Sequence, residues 1–259
     1  MTQVELDRQN ASFWSELCGS GLARSLGIGG DEPDALERFD ASYFGLYPYL
    51  GGYVERFDLS GRSVLEIGLG YGTLGQYIAE RGAVYHGLDI APTPVEMMRH
   101  RLRLLGLDGD DRVREGTALE IPWPAETFDF VYSIGCLHHT GDLERSVGEV
   151  RRVLAPQGVA VVMLYNRHSA RRLWSARRSD AAMRAAYDEN AAGDPAPHTD
   201  FTSRRETRRL YSGFSRIEID GQNFDDLWFR GRMLVGRDRL IRSPLAGLLG
   251  LDLYIVAEK

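Results

Sequence analysis

Residues 63–72 read Ser-Val-Leu-Glu-Ile-Gly-Leu-Gly-Tyr-Gly, and residues 84–90 read Val-Tyr-His-Gly-Leu-Asp-Ile. The first stretch is a short apolar run that breaks into alternate glycines at Gly68, Gly70 and Gly72. A run of that length, bounded by turn formers, predicts a buried strand. Residues 72–81 predict a helix ending at Gly82, and 84–88 a second strand with Asp89 at its end. This order opens a parallel sheet of the kind that binds ligands beyond the carboxyl ends of its strands. Glycines at the turn let a ligand approach the backbone, and the helix start offers unpaired N–H groups.

The alternation continues outward. A helix over 92–105 has proline near its first turn, and strands follow over 112–115 and 128–133. A helix over 143–154 stops before Ala155-Pro156-Gln157-Gly158, and 159–165 reads as a strand buried on both faces. Ser203 and Glu206 form a capping box that opens a helix to about Ser212, and 216–220 and 253–257 supply two more strands. Segments 1–60, 166–202 and 221–250 fall outside this rhythm and are long enough to carry function.

The glycine spacing separates two ligand classes. A dinucleotide fingerprint would be GxGxxG, and the place of its third glycine is held by Thr73. The chain has GxGxG instead, which disfavours a nicotinamide dehydrogenase. Glu66, just ahead of the glycines, would repel a pyrophosphate but suits a ligand with an ammonium group. Asp89 stands where an acid holds a ribose in nucleotide-binding sheets. S-adenosylmethionine carries a ribose, a cationic sulfonium and an amino-acid end, and it meets both requirements.

In these residues the chain resembles the class I S-adenosylmethionine-dependent methyltransferases, specifically the small-molecule group with a type 11 domain. The matching text is VLEIGLGYG (64–72), GLDI (87–90), EGTALEIPWPAETFDFVYSIGCLHHT (115–140) and EVRRVLAPQGVAVV (149–162). The resemblance implies an α/β, Rossmann-like, doubly wound seven-stranded sheet whose last strand is antiparallel. The resemblance covers roughly residues 60–165 firmly and the final strands loosely; the segments outside it are read as a helical lid over 1–60 and as cap insertions at 166–202 and 221–250 in a catalytic domain over 61–259. It places Glu66, Gly68, Gly70 and Gly72 along the methionine moiety, Asp89 and Ile90 on the ribose, and Thr117 and Ala118 at the adenine edge. Ser133 to Leu137 should lie along the cofactor. The family often has Asp where this chain has Thr117, whose hydroxyl still accepts a hydrogen bond.

His138 and His139 follow the fourth strand and are candidates for a general base, with His138 preferred; the alternative is a structural pair. Tyr43 and Tyr47 belong to an aromatic run at near-helical spacing, read either as core or as a lid over the sulfonium and acceptor. Arg167 and His168 directly follow the fifth strand and would suit an anionic acceptor. Cys136 lacks an activating arrangement and reads as an inert thiol.

Composition bounds the rest. The 259 residues hold 31 basic and 37 acidic side chains, a formal charge of −6, with 43% hydrophobic residues, as in an ordinary globular chain. Residues 1–165 hold 14 Arg against 24 acids, and 166–242 hold 16 Arg against 11 acids. A globally acidic chain with one basic segment disfavours a nucleic-acid partner. Cys18 and Cys136 are the only cysteines, which excludes a disulfide scaffold and a thiolate zinc site, and no metal is expected. Residues 1–10 carry no apolar signal core and no apolar run reaches the ~18 residues of a span, so a cytoplasmic location without a membrane partner is expected. The expected activity is methyl transfer from S-adenosylmethionine, yielding S-adenosylhomocysteine, to a small polar metabolite, first at oxygen on a sugar or natural-product intermediate. Transfer to nitrogen or carbon, and a non-catalytic S-adenosylmethionine-binding protein, stand as alternatives.

Overall fold

A computed structural model describes residues 1–17, 21–28, 33–175 and 179–259; Cys18 and the Arg177-Arg178 pair lie outside the described residues. Four helices precede the sheet: α1 (Gln3–Leu17), α2 (Gly21–Ser25), α3 (Pro33–Leu46) and α4 (Leu50–Glu55). The core then alternates β1 (Ser63–Ile67), α5 (Thr73–Ala79), β2 (Val84–Asp89), α6 (Pro92–Leu104), β3 (Val113–Glu115), β4 (Phe128–Ile134), α7 (Leu143–Val153) and β5 (Leu154–Tyr165). Short helices α8 (Ala170–Trp174) and α9 (Asp180–Ala185) lead to α10 (Arg204–Leu210) and β6 (Arg216–Gln222). A hairpin of β7 (Leu227–Phe229) and β8 (Arg232–Val235), helices α11 (Arg237–Ile241) and α12 (Pro244–Leu249), and β9 (Asp252–Glu258) complete the chain.

Seven strands form one sheet in the order β3-β2-β1-β4-β5-β9-β6. The first five are parallel, and β9 lies antiparallel between β5 and β6. The expected pairing of 216–220 with 253–257 is therefore present, with Ile217 opposite Ala257 and Ile219 opposite Ile255. Residues 160–164 and 253–257 are buried throughout because helices cover both faces of the sheet. Helix α7 shows the cause of the layering: Asp142 caps it through Arg145 N at 3.0 Å, and Leu143, Val147, Val150 and Val153 pack one stripe into the core.

Several element boundaries differ from expectation, most of them by one or two residues and the start of the fifth strand by five. Strand β5 begins at Leu154 because the Pro156-Gln157-Gly158 stretch bulges within the strand, with Gln157 at φ 65° and a register shift opposite Phe128–Phe130. Helix α5 ends at Ala79, two residues short of Arg81.

The strand order reverses direction at β1 and β4, so a crevice opens beyond their carboxyl ends. Helix α3 is fastened over it by the buried Arg101 of α6, which bonds Asp40 through both terminal nitrogens at 2.7 and 2.9 Å and Gln76 at 2.7 Å. Helix α1 crosses the same edge, where Asn10 Nδ2 donates to the His139 carbonyl at 2.8 Å.

Candidate active site

A cavity of about 260 Å³ fills the crevice. One half is the glycine turn. Gly68 has φ +84°, and an added Cβ would lie 2.4 Å from Cys136 Cβ, so the backbone conformation and the neighbour both demand glycine. The turn itself is held by Asp89, whose Oδ2 accepts from Leu69 N at 2.7 Å and whose Oδ1 accepts from Ala91 N at 2.9 Å. Glu66 is 2% exposed, accepts a short hydrogen bond from Tyr85 OH, and still reaches the cavity wall. Gly70, Ile90, Thr117 and Ala118 complete this half.

The other half is an aromatic chamber lined by Tyr43, Tyr47, Tyr165, Tyr254, Trp14 and Met163, with His139 and Asp188 on its wall. His139 Nδ1 lies 2.7 Å from the His198 carbonyl oxygen, and its Nε2 has no hydrogen-bond partner. A carbonyl only accepts, so Nδ1 carries the hydrogen and Nε2 presents a lone pair. Asp188 Oδ2 lies 3.7 Å from that Nε2 and accepts from Tyr165 OH at 2.9 Å. Burial, chiefly, holds the His139 imidazole below the usual histidine range, while Asp188 works the other way.

Most of the anticipated residues converge here: Tyr43, Tyr47, Glu66, Gly68, Gly70, Asp89, Ile90, Thr117, Ala118 and His139 all line the cavity. Six do not. His138 is wholly buried between the rings of His139 and Tyr165, at 4.2 and 4.1 Å, because the single 3₁₀ turn Leu137–His139 rotates successive side chains by about a third of a circle. Leu137 turns into the core for the same reason. Ser133 is spent on the Ile67 carbonyl at 3.0 Å, leaving Ile134, Gly135 and Cys136 to face the cavity. Gly72 faces the Arg101 side chain instead. Arg167 is carried outward where β5 ends, donates to the Phe201 carbonyl at 2.9 Å and pairs with Glu206, while His168 is exposed. Sequence reasoning missed Asn10, Trp14, Tyr165, Asp188 and Tyr254, which arrive from distant segments.

The site sets a pH signature. Burial pushes the Glu66 carboxyl up to about 8, and burial likewise lifts Asp89 to about 6 and Asp252 to about 7. An acid whose pKa is raised by folding contributes stability that is fully present below its unfolded value and is lost as pH climbs from there to the folded value, because the folded state keeps a proton that the unfolded state has given up. The lowered histidines act only below 6.5. Between pH 7 and 8 the ligand-free protein should therefore lose up to about 1.4 kcal/mol per pH unit through Glu66, read as a falling melting temperature. Glu66→Gln should flatten that slope; an unchanged slope would remove Glu66 as its source.

Comparison with known proteins agrees with this geometry. Residues 65–162 match the family model described as a methyltransferase domain. The Mycolicibacterium smegmatis fatty-acid O-methyltransferase is 30% identical over 135 residues, 51% of this chain and 46% of that protein. The Rauvolfia serpentina ajmaline N-methyltransferase is 31% identical over 108 residues, 41% of this chain and 37% of that protein. Among solved structures, a Thermotoga maritima SAM-dependent methyltransferase aligns with a TM-score of 0.53 at 20% identity, covering 83% of this chain and 99% of that one, which is a likeness of fold. Residues 65–162 thus match a methyltransferase domain, and the fold around them is like that of the class of S-adenosylmethionine-dependent methyltransferases. More narrowly, the chain carries the methyltransferase domain matched over residues 65–162, and it spans less than half the length of the two curated relatives.

The residues present fit the cofactor of that class. Gly68 keeps the turn free of a side chain against Cys136, the buried Glu66 carboxyl reaches the cavity wall where an ammonium group could meet it, and Asp89 ends β2 at the cavity edge. Among the described residues no group of three or more His, Cys, Asp or Glu is placed to hold a metal ion.

Proposed function

We propose that the protein transfers a methyl group from S-adenosylmethionine to an oxygen of a small molecule held in the aromatic chamber, with His139 as the base. The observation that carries this reading is the unpartnered, buried His139 Nε2 on the chamber wall. When bound, the cofactor supplies an electrophilic methyl on a sulfonium. Glu66 and the glycine turn would hold its amino-acid end, and Asp89, which keeps the turn in place, would accept from its ribose. The aromatic walls exclude water and orient the acceptor for in-line displacement. His139 Nε2 takes the acceptor proton, and Asp188 stabilises the imidazolium that results.

The acceptor of this proposal is neutral rather than anionic. Among the described residues no Arg or Lys lines the cavity, whereas Asp7, Glu66, Asp89 and Asp188 do. That acidic, aromatic lining also supports a second reading, an amine acceptor, since aromatic faces and carboxylates attract cations. The relatives' names span both chemistries.

Calorimetry tests the cofactor reading. S-adenosylmethionine and S-adenosylhomocysteine should bind and NADH should not. Asp89→Ala should weaken cofactor binding at least tenfold, since charge-assisted hydrogen bonds are worth about 1.5–3 kcal/mol each and the glycine turn loses its anchor as well. Absence of binding by either S-adenosyl compound would defeat the proposal.

A further inference from the structure

The basic segment read from the sequence is not absorbed by the site. Its end and the residues that follow, 224–249, pack around Phe224, Leu240 and Ala246, with Leu227, Val235, Ile241 and Leu249 against them. From this small core the β7–β8 hairpin projects without pairing to the main sheet. Its turn is Arg230-Gly231, both at positive φ (49° and 77°), the two-residue geometry that suits a tight hairpin. Trp228 and Met233 stand opposite each other on one face of the ribbon, and Leu234 takes the other. All three are exposed, at 56%, 47% and 62%. On α12, Leu245 and Leu248 share a face through i, i+3 spacing and are exposed too.

Charge surrounds these apolar groups. Arg232, Arg239 and Arg242 are exposed, and among the described residues none of them takes a salt-bridge partner. The nearby acids are partly spent: Asp225 pairs with Arg171, and Asp226 accepts from Arg237 N at 2.6 Å, leaving Asp238. We infer that this hairpin and the α11–α12 face dock on an anionic lipid surface, the apolar side chains entering the interface and the arginines meeting lipid phosphates.

Three features favour that occupant. Exposed Trp, Met and Leu flanked by Arg is the composition of an interfacial anchor, where the ring sits among headgroups and the guanidinium groups reach anionic lipid. Apolar groups occupy both faces of the ribbon, and a fluid interface covers both at once whereas a rigid groove covers one. A second copy docking symmetrically on this face would set arginines against arginines. The docking face also adjoins the chamber: the Arg237 guanidinium lies 5.7 Å from the ring of Tyr47, which lines it. This is contact with a surface, not a crossing; no described helix is long and apolar enough to span a membrane.

The test is flotation of the full chain with vesicles of equimolar phosphatidylcholine and phosphatidylglycerol, against vesicles of phosphatidylcholine alone. The wild type should float with the anionic vesicles only, and less so as salt rises. The triple variant Trp228→Ser, Met233→Ser, Leu234→Ser and the triple variant Arg232→Glu, Arg239→Glu, Arg242→Glu should each bind at least about tenfold more weakly. Both should keep the wild-type circular dichroism spectrum and S-adenosylhomocysteine affinity, since neither touches the glycine turn. Equal binding to both vesicle types, no flotation of the wild type, or wild-type flotation by either variant would overturn the inference. A dimer in sedimentation that the serine variant dissociates, without vesicle binding, would assign the face to a second copy instead.

Discussion

His139→Ala should lower kcat by about 10²–10⁴-fold toward a hydroxyl acceptor while leaving cofactor affinity near the wild-type value, the loss expected when a positioned base is removed. The neighbouring substitution should behave differently. His138 is wholly buried and absent from the cavity wall, so His138→Ala should cost stability, about 1–3 kcal/mol, before it costs rate. Because burial holds the His139 imidazole low, the wild-type rate should rise with pH along a limb below 6.5 and then level. Asp188→Asn removes a neighbour that raises that pKa, so the limb should move to lower pH and kcat should fall. Single-turnover methyl transfer across pH measures all of this. An alanine variant at 139 with nearly full activity and an unaltered profile would sink the base assignment and favour an amine or already ionised acceptor, which needs none.

The exchange of His138 for His139 shows what a linear reading can and cannot reach. Both imidazoles follow the same strand, and nothing in the string distinguishes them. The choice is made by a 3₁₀ turn of three residues and by the His198 carbonyl, which arrives from a loop about sixty residues away. Asp188 is invisible for the same reason: it is one acid in a polar stretch until the chain folds it against Tyr165. By contrast, the glycine turn, Asp89 and the alternation of strands and helices were legible, because their causes are local. Residues 63–72 and 84–89 contain the period, the breakers and the acid, and the ligand end of the sheet follows from them. Arg167 misled because adjacency to a strand end does not set direction; Tyr165 turns into the chamber and Arg167 out to Glu206. The β7–β8 hairpin did leave a signal. Arg230-Gly231 sits between two short apolar runs at hairpin spacing, and only the mixed composition of 221–250 obscured it.

Gly68→Ala should abolish measurable cofactor binding and destabilise the fold by several kcal/mol. Two costs add. An L side chain at φ +84° carries roughly 1–2 kcal/mol of backbone penalty, and the new Cβ would meet Cys136 Cβ at 2.4 Å and Sγ at 2.9 Å. Overpacking of that kind typically costs about 1–3 kcal/mol, and relief by moving Cys136 would push it into the cavity that both residues line. The two costs can be separated in a double-mutant cycle. Cys136→Gly deletes the obstructing Cβ, so the double variant Gly68→Ala, Cys136→Gly should recover the packing part and keep the backbone part. Its stability should lie between the two single variants' sum and the wild type, with a coupling of about 1 kcal/mol or more, as for side chains in contact. Cofactor binding should return only partly, because the turn that Asp89 holds through Leu69 N is still strained at residue 68. Denaturant titration and calorimetry on the four proteins give both numbers. Strict additivity of the two substitutions would mean that Cys136 does not constrain the turn, and the glycine at 68 would then be required by its backbone angle alone.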